Sequence, residues 1–285
     1  MRISILLALF SASVAAFSQQ TVQERQAWNI PVEPFRIIGN VHYVGAAGVS
    51  SFLITATMGH ILIDGGLPET APLVAKNVST LGFRLVDIKY LLNSHAHFDH
   101  AGGLAELKRL TGAQLIASEG DSKTLRTGNR PSDEASTFPP VDVDRIIGDN
   151  ETVKVGDVTL TAHLTPGHTK GSTTWTTQIV EGDKTRHVLF YSSTTVAANR
   201  LVNNLEYPQI VSDYERTFAR VRELPCDVFL APHGNFFKLP EKMSRRAKGG
   251  PNPFIDPAEF KSFVDNSERD FRRQLMEQQK SPLAR

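Results

Sequence analysis

Three histidines and one aspartate crowd into six consecutive residues, His95-Ala96-His97-Phe98-Asp99-His100, after an apolar run and just before the pair Gly102-Gly103. Neutral imidazole and carboxylate are suitable zinc ligands, and a catalytic zinc site typically takes three protein groups and leaves one position for water. On a regular strand these side chains would alternate between faces, so they can converge only from an irregular loop. One three-ligand site needs a further histidine from elsewhere, and two such sites need two. The chain offers His168 in "LTPGHTKGST" and His233 in "LAPHGN", each after an apolar run and a proline and beside a glycine. The count is six donors for two metal ions. A single loop histidine is usually a surface or core residue, but here three separate segments end alike. His42, His60, His163 and His187 fall within strand patterns or at a hairpin turn and are read as structural.

Positioning such donors requires strands that end on one rim. "FRIIGNVHYVG" and "SSFLITATMGHILIDGG" alternate and break at glycines, predicting antiparallel strands that turn at Gly39-Asn40 and Met58-Gly59. Leu73, Val74, Asn77, Val78 and Leu81 keep helical spacing between a proline and Gly82, predicting a short helix. "IKYLLNS", the histidine run, "GLAELKRLTG" and "AQLIAS" then read as strand, loop, helix and strand. The cluster thus leaves the carboxyl end of a strand, the edge at which open α/β sheets bind ligands. Residues 128–140, rich in turn formers, predict a mobile surface loop. "TVKVGDVTLTAHL", "STTWTTQIV" and "RHVLFYSS" are strand-like, with "EGDK" as a hairpin turn. "SDYERTFARVREL" is helical, "CDVFLAPHG" is a strand ending in a histidine, and Asp256 to Lys280 is an amphipathic helix. Two runs of strands with attached helices predict a four-layer αββα sandwich: two mixed sheets face to face with helices outside.

The charge balance, 31 basic against 30 acidic residues, gives no electrostatic reason to expect nucleic acid or a membrane surface as partner. Arg2, the apolar stretch Ile3 to Phe10 and the small residues Ala15, Ala16 and Ser18 have the layout of a cleavable secretory signal. Residues 1–18 are therefore expected to direct export to the periplasm or beyond, leaving 19–285 as one domain and a monomer. The single cysteine, Cys226, excludes an intramolecular disulfide and is read as a small buried residue, a poor nucleophile.

The pattern His95-x-His97-x-Asp99-His100 with His168 and His233 resembles the metallo-β-lactamase superfamily, whose fold is the αββα sandwich. "WNIPVEPFRIIGNVHYVG", "GHILIDGGLPE", "LTPGHTKGSTTW" and "DVFLAPHG" resemble, more closely, subclass B3 of the true metallo-β-lactamases. The resemblance implies that His95, His97 and His168 hold one zinc ion and Asp99, His100 and His233 a second. It implies hydrolysis of a small-molecule β-lactam by hydroxide generated between the two ions, with Asp99 orienting it, and hence antibiotic resistance. Ser193 matches the serine that this subclass carries near the second metal, and Thr195 a position that helps bind the substrate carboxylate. Threonine in place of the commoner serine at Thr195, and the absence of a cysteine pair found in some members, are departures. Asp64, ending "HILID", is expected to be a buried group supporting the metal loop, since ligating histidines need their other nitrogen paired; the alternative is a turn-forming aspartate before Gly65-Gly66.

Two rivals differ in kind. Lactonases and thioester hydrolases of the same superfamily carry a bridging aspartate in the stretch matching "HVLFYSSTTVA", which has no acid here; Asp183, the nearest, falls in the "EGDK" turn. A non-enzymatic zinc protein would close its site with four ligands, whereas six donors divide into three and three.

Overall fold

The computed structural model describes residues 23–129 and 137–280. The segment read as an export signal lies outside them, as do residues 130–136 of the expected loop. Seven strands form the first sheet in chain order: β1 (Phe35–Ile38), β2 (Val41–Tyr43), β3 (Phe52–Ala56), β4 (Gly59–Ile63), β5 (Ile88–Leu92), β6 (Gln114–Ser118) and β7 (Arg145–Ile147). The first four pair antiparallel, and β4 through β7 pair parallel. The second sheet contains β8 (Thr152–Val155), β9 (Val158–Leu164), β10 (Thr173–Glu181), β11 (Lys184–Phe190) and β12 (Val228–Leu230), of which only β11 and β12 pair parallel.

Strand periodicity sorts the apolar side chains between two cores. Phe52 and Ile54, Ile61 and Ile63, Leu92 and Ile116 face the second sheet, where they join Trp175, Val188 and Phe190. Their neighbours Leu53, Leu62, Leu91 and Leu115 point the other way. There they are covered by Val74 and Val78 of α1 (Ala71–Thr80), Leu104 and Leu107 of α3 (Leu104–Thr111) and Leu125 of α4 (Glu119–Thr127); α2 (Phe98–Ala101) is a single turn inside the histidine run. On the far side, α5 (Ile210–Val221) and α7 (Glu259–Lys280) close the second sheet through Tyr214, Phe218, Phe260 and Phe271. Tyr214 stacks on Phe271 at 4.8 Å, and Phe260 meets Phe229 of β12 at 5.2 Å. The layers are those expected, helix–sheet–sheet–helix.

Several elements were not legible in the sequence, among them the short helix at 23–28 and the turn α2, where a loop was expected. β7 is three residues long, too short for a pattern. α4 buries Asp121 and Ser122 beside Leu125, so its inward face is mostly polar and shows no apolar period. α6 (Leu239–Ala247) buries only Leu239 and Lys242. That lysine is fully enclosed, pairs with Glu259 of α7 and lies over the rings of Phe237 and Phe254. Cys226 is half-buried, and burial pushes its thiol up to about 12, so it is no nucleophile at neutral pH.

Candidate metal centre

The loops leaving β5, β9, β11 and β12 meet on one rim, and backbone bonds stitch them together. Ser94 C=O accepts from Thr173 N–H at 2.8 Å and from the Ser192 hydroxyl at 3.0 Å, and Pro232 C=O accepts from Ser50 N–H at 2.8 Å. All six donors come together there. His95, His97 and His168 form one group and Asp99, His100 and His233 another, with the three ligand atoms of each group within 4.8 Å of one another. Each group therefore draws on both sheets: two donors from the loop after β5, one from a loop of the second sheet.

The spacing suits a metal ion. In the second group His100 Nε2, His233 Nε2 and Asp99 Oδ2 lie 3.2, 3.2 and 3.3 Å apart, nearly an equilateral triangle. In the first, His95 Nε2 and His168 Nε2 are 3.2 Å apart. Tetrahedral zinc with bonds of about 2.0–2.1 Å places neighbouring ligand atoms roughly 3.3–3.4 Å apart. The outer ring nitrogens favour the same arrangement. His168 Nδ1 donates to Thr195 C=O at 2.7 Å, and His233 Nδ1 to Gly48 C=O at 3.1 Å. A proton fixed on Nδ1 leaves Nε2 bare and aimed at its partners. The residues present thus fit a metal.

Asp64 reaches His95 through an intermediary. Its carboxylate accepts from Ser94 N–H (2.7 Å), the Ser94 hydroxyl (2.5 Å) and Asn93 Nδ2 (3.1 Å). Since the Ser94 hydroxyl donates to Asp64, its lone pair is free to accept from His95 Nδ1, 3.1 Å away. Asp64 also sits at φ 60° ahead of Gly65-Gly66, so it turns the chain as well as bracing it. Pairing of the outer nitrogen is not universal: His100 Nδ1 is buried without a hydrogen-bond partner among the described residues.

Electrostatics keep His95 and Asp99 in ligand form, whereas at His100 burial is outweighed by the Asp99 carboxylate, which raises the imidazole pKa. Burial, reinforced by the charges of His100, His168 and His97, holds His95 well below its ordinary pKa, so it is neutral at pH 7. Burial alone would raise Asp99, but His100 and His233 outweigh it and hold the carboxylate well below its usual range. Thr195 stands beside His168 of the first group, its Oγ1 3.2 Å from His168 Nδ1, and the Ser193 hydroxyl lies 3.1 Å from the Thr195 hydroxyl. Asp183 is exposed in its hairpin turn, away from the donors, and none of His42, His60, His163 and His187 joins either group.

Two contributors escaped the sequence reading. Trp28, the last residue of the short helix at 23–28, packs on the rings of His233 (5.5 Å) and Phe98 (6.3 Å). Its segment is tied down by Arg25–Glu69 and by the Thr70 hydroxyl on Asn29. An isolated tryptophan ahead of the first strand was the only available signal. Asp121 of α4 is buried and accepts from Ala96 N–H, between His95 and His97; no local pattern announces it.

Comparison with known proteins agrees with this geometry. Residues 44–233 match the family model of the metallo-beta-lactamase superfamily. BJP-1, a subclass B3 metallo-β-lactamase of Bradyrhizobium japonicum, is 43% identical with a TM-score of 0.86, over 90% of this chain and 98% of that one. A Cronobacter sakazakii metallo-β-lactamase described by a HARLDQ motif is 42% identical (TM-score 0.86; 90% and 98% covered), where this chain reads HAHFDH at 95–100. FEZ-1 from Legionella gormanii is 36% identical (TM-score 0.86; 88% and 98% covered). Among curated relatives, a hydroxyacylglutathione hydrolase of Anaeromyxobacter dehalogenans is 30% identical over 47% of this chain and 44% of its own length. An acyl-coenzyme A thioesterase of Homo sapiens is 32% identical over 46% and 49%. The chain spans about half the length of these curated relatives, against nearly the whole of the lactamases. By family model, by fold and by near-complete coverage, the chain belongs to the metallo-β-lactamase superfamily and stands with its subclass B3 enzymes.

Proposed function

We propose that the protein hydrolyses the amide bond of β-lactam antibiotics, with His95, His97 and His168 holding one zinc ion and Asp99, His100 and His233 a second. One observation carries this reading above all: two three-donor sets side by side on one rim, each one ligand short of the closed shell of a structural site. Zinc, when bound, supplies a Lewis acid and lowers the pKa of coordinated water toward about 7.

The chain's own groups supply the rest. Asp99, kept ionised, accepts a hydrogen bond from the attacking water and orients it. The Ser193 and Thr195 hydroxyls donate to the carboxylate that every bicyclic lactam of this class carries. Trp28 packs on the His233 ring and covers that side of the donor group. Water adds across the lactam C–N bond: the carbonyl carbon gains the oxygen, the ring nitrogen leaves with a proton, and no covalent enzyme intermediate forms. Export through residues 1–18, action as a single-domain monomer and a role in antibiotic resistance belong to the same proposal.

The test is a purified-protein assay of a penicillin, a cephalosporin and a carbapenem, with and without chelator, beside an uncharged acyl lactone and a thioester. Expected are turnover of at least one β-lactam, insensitivity to clavulanate-type inhibitors that must acylate a serine, loss on chelation and recovery with zinc. Efficient lactone or thioester hydrolysis with no β-lactam consumed would transfer the protein to the other hydrolases of its superfamily.

A further inference from the structure

The first donor group is assembled from two loops distant in sequence, and the rigidity of their union sets how well it holds a metal. The Asp121 carboxylate lies where the two loops touch. Its Oδ2 accepts from Ala96 N–H at 2.8 Å and from the Thr169 hydroxyl at 2.9 Å, and its Oδ1 accepts from Gly171 N–H at 3.0 Å. Ala96 separates His95 from His97, and Thr169 follows His168 directly. One carboxylate thus grips the chain between two donors of the group and the chain next to the third.

The surroundings are built for this approach. A Cβ on Gly171 would fall 2.3 Å from Asp121 N and 2.6 Å from its carboxyl carbon, and a Cβ on Gly120 would fall 2.5 Å from Lys170 C=O. The Ser118 hydroxyl donates to Gly171 C=O at 2.6 Å. The first turn of α4 is therefore seated directly on the loop that carries His168.

We infer that Asp121 is a positioning residue for the first metal: it sets the placement of His95 and His97 against His168 and so determines the affinity of that site. The inference rests on the metal reading above, but not on which substrate is cleaved. An outer group that orients ligands typically contributes 10- to 100-fold to metal affinity.

The experiment is chelator competition for zinc on the full-length protein and its variants, with circular dichroism and melting of the metal-free forms alongside. For Asp121→Ala one of the two zinc equivalents should bind 10- to 100-fold more weakly while the other changes little. Asp121→Asn, which keeps one acceptor oxygen but sets an N–H against a donor, should fall between Ala and the unaltered protein. Gly171→Ala should resemble Asp121→Ala by pushing α4 away. In a His95→Ala background, adding Asp121→Ala should leave the remaining equivalent unaffected. Should Asp121→Ala not fold, Asp121→Asn and Thr169→Val, which removes one of the three bonds, decide the matter by the same readout. Unchanged affinity, or equal weakening of both equivalents in step with the metal-free melting temperature, would overturn the inference. Failure of the unaltered protein to bind zinc at all is a separate result and would overturn the metal reading instead.

Discussion

His168 illustrates what a single residue must supply here: an Nε2 free of its proton, held in place by a backbone carbonyl on the other nitrogen. No neighbour can replace such a donor. His95→Ala, His168→Ala and His233→Ala should each fold and lose several orders of magnitude in kcat/KM, checked by kinetics on variants with matched circular dichroism. Ser193→Ala should be milder, at about 1 kcal/mol or roughly fivefold, the worth of one ordinary hydrogen bond; inactivation as deep as that of His233→Ala would give Ser193 a larger part. Away from the site, Asp227 accepts from His187 N–H at 2.7 Å and also pairs with the His187 ring and Arg186, and these contacts lower its pKa. A lowered carboxylate stabilises above its unfolded pKa, and that contribution disappears as pH falls through the folded value. The metal-free protein should therefore melt above Asp227→Asn at pH 7, with the gap closing in acid. The six donors were readable because rare side-chain types recurred after three apolar runs. Asp64 was readable as a support but not its route through Ser94, and Asp121 was invisible, because its role exists only once two distant loops meet.

Among the elements, α7 reaches furthest. Near its carboxyl end Gln278 closes a clasp on the loop that follows Ser193 and Thr195, accepting from Leu201 N–H at 2.7 Å and donating to Asn199 C=O at 3.2 Å. Asn199 in turn donates to His168 C=O at 3.0 Å. Gln278→Ala should speed amide exchange at residues 199–201 and raise KM more than it lowers kcat, with little change in melting temperature. Hydrogen exchange read by mass spectrometry, together with steady-state kinetics, checks this. Unaltered exchange would mean that the loop is held without the clasp. The strands other than β7, and the helices α1, α3, α5 and α7, were legible because each buries an apolar face at its own period. α4 and α6 were not, because one turns a carboxylate inward and the other a lysine.

For the whole molecule, the two donor groups lie across the junction of the sheets, so metal and fold support each other. A ligand that binds only the native state adds about 2.7 kcal/mol at a hundred times its Kd. Elemental analysis should find close to two zinc per chain, and chelation should lower the melting temperature by several degrees, reversibly. A reproducible value of one zinc with full activity would remove the two-metal mechanism. The division of donors between sheets also sets an order of events at the ribosome. His95, His97, Asp99 and His100 are made early, yet neither group has its third member until His168 and then His233 follow. On the proposed two-zinc reading, a nascent chain lacking those residues holds only half-built sites, so secure loading would wait for a nearly complete polypeptide.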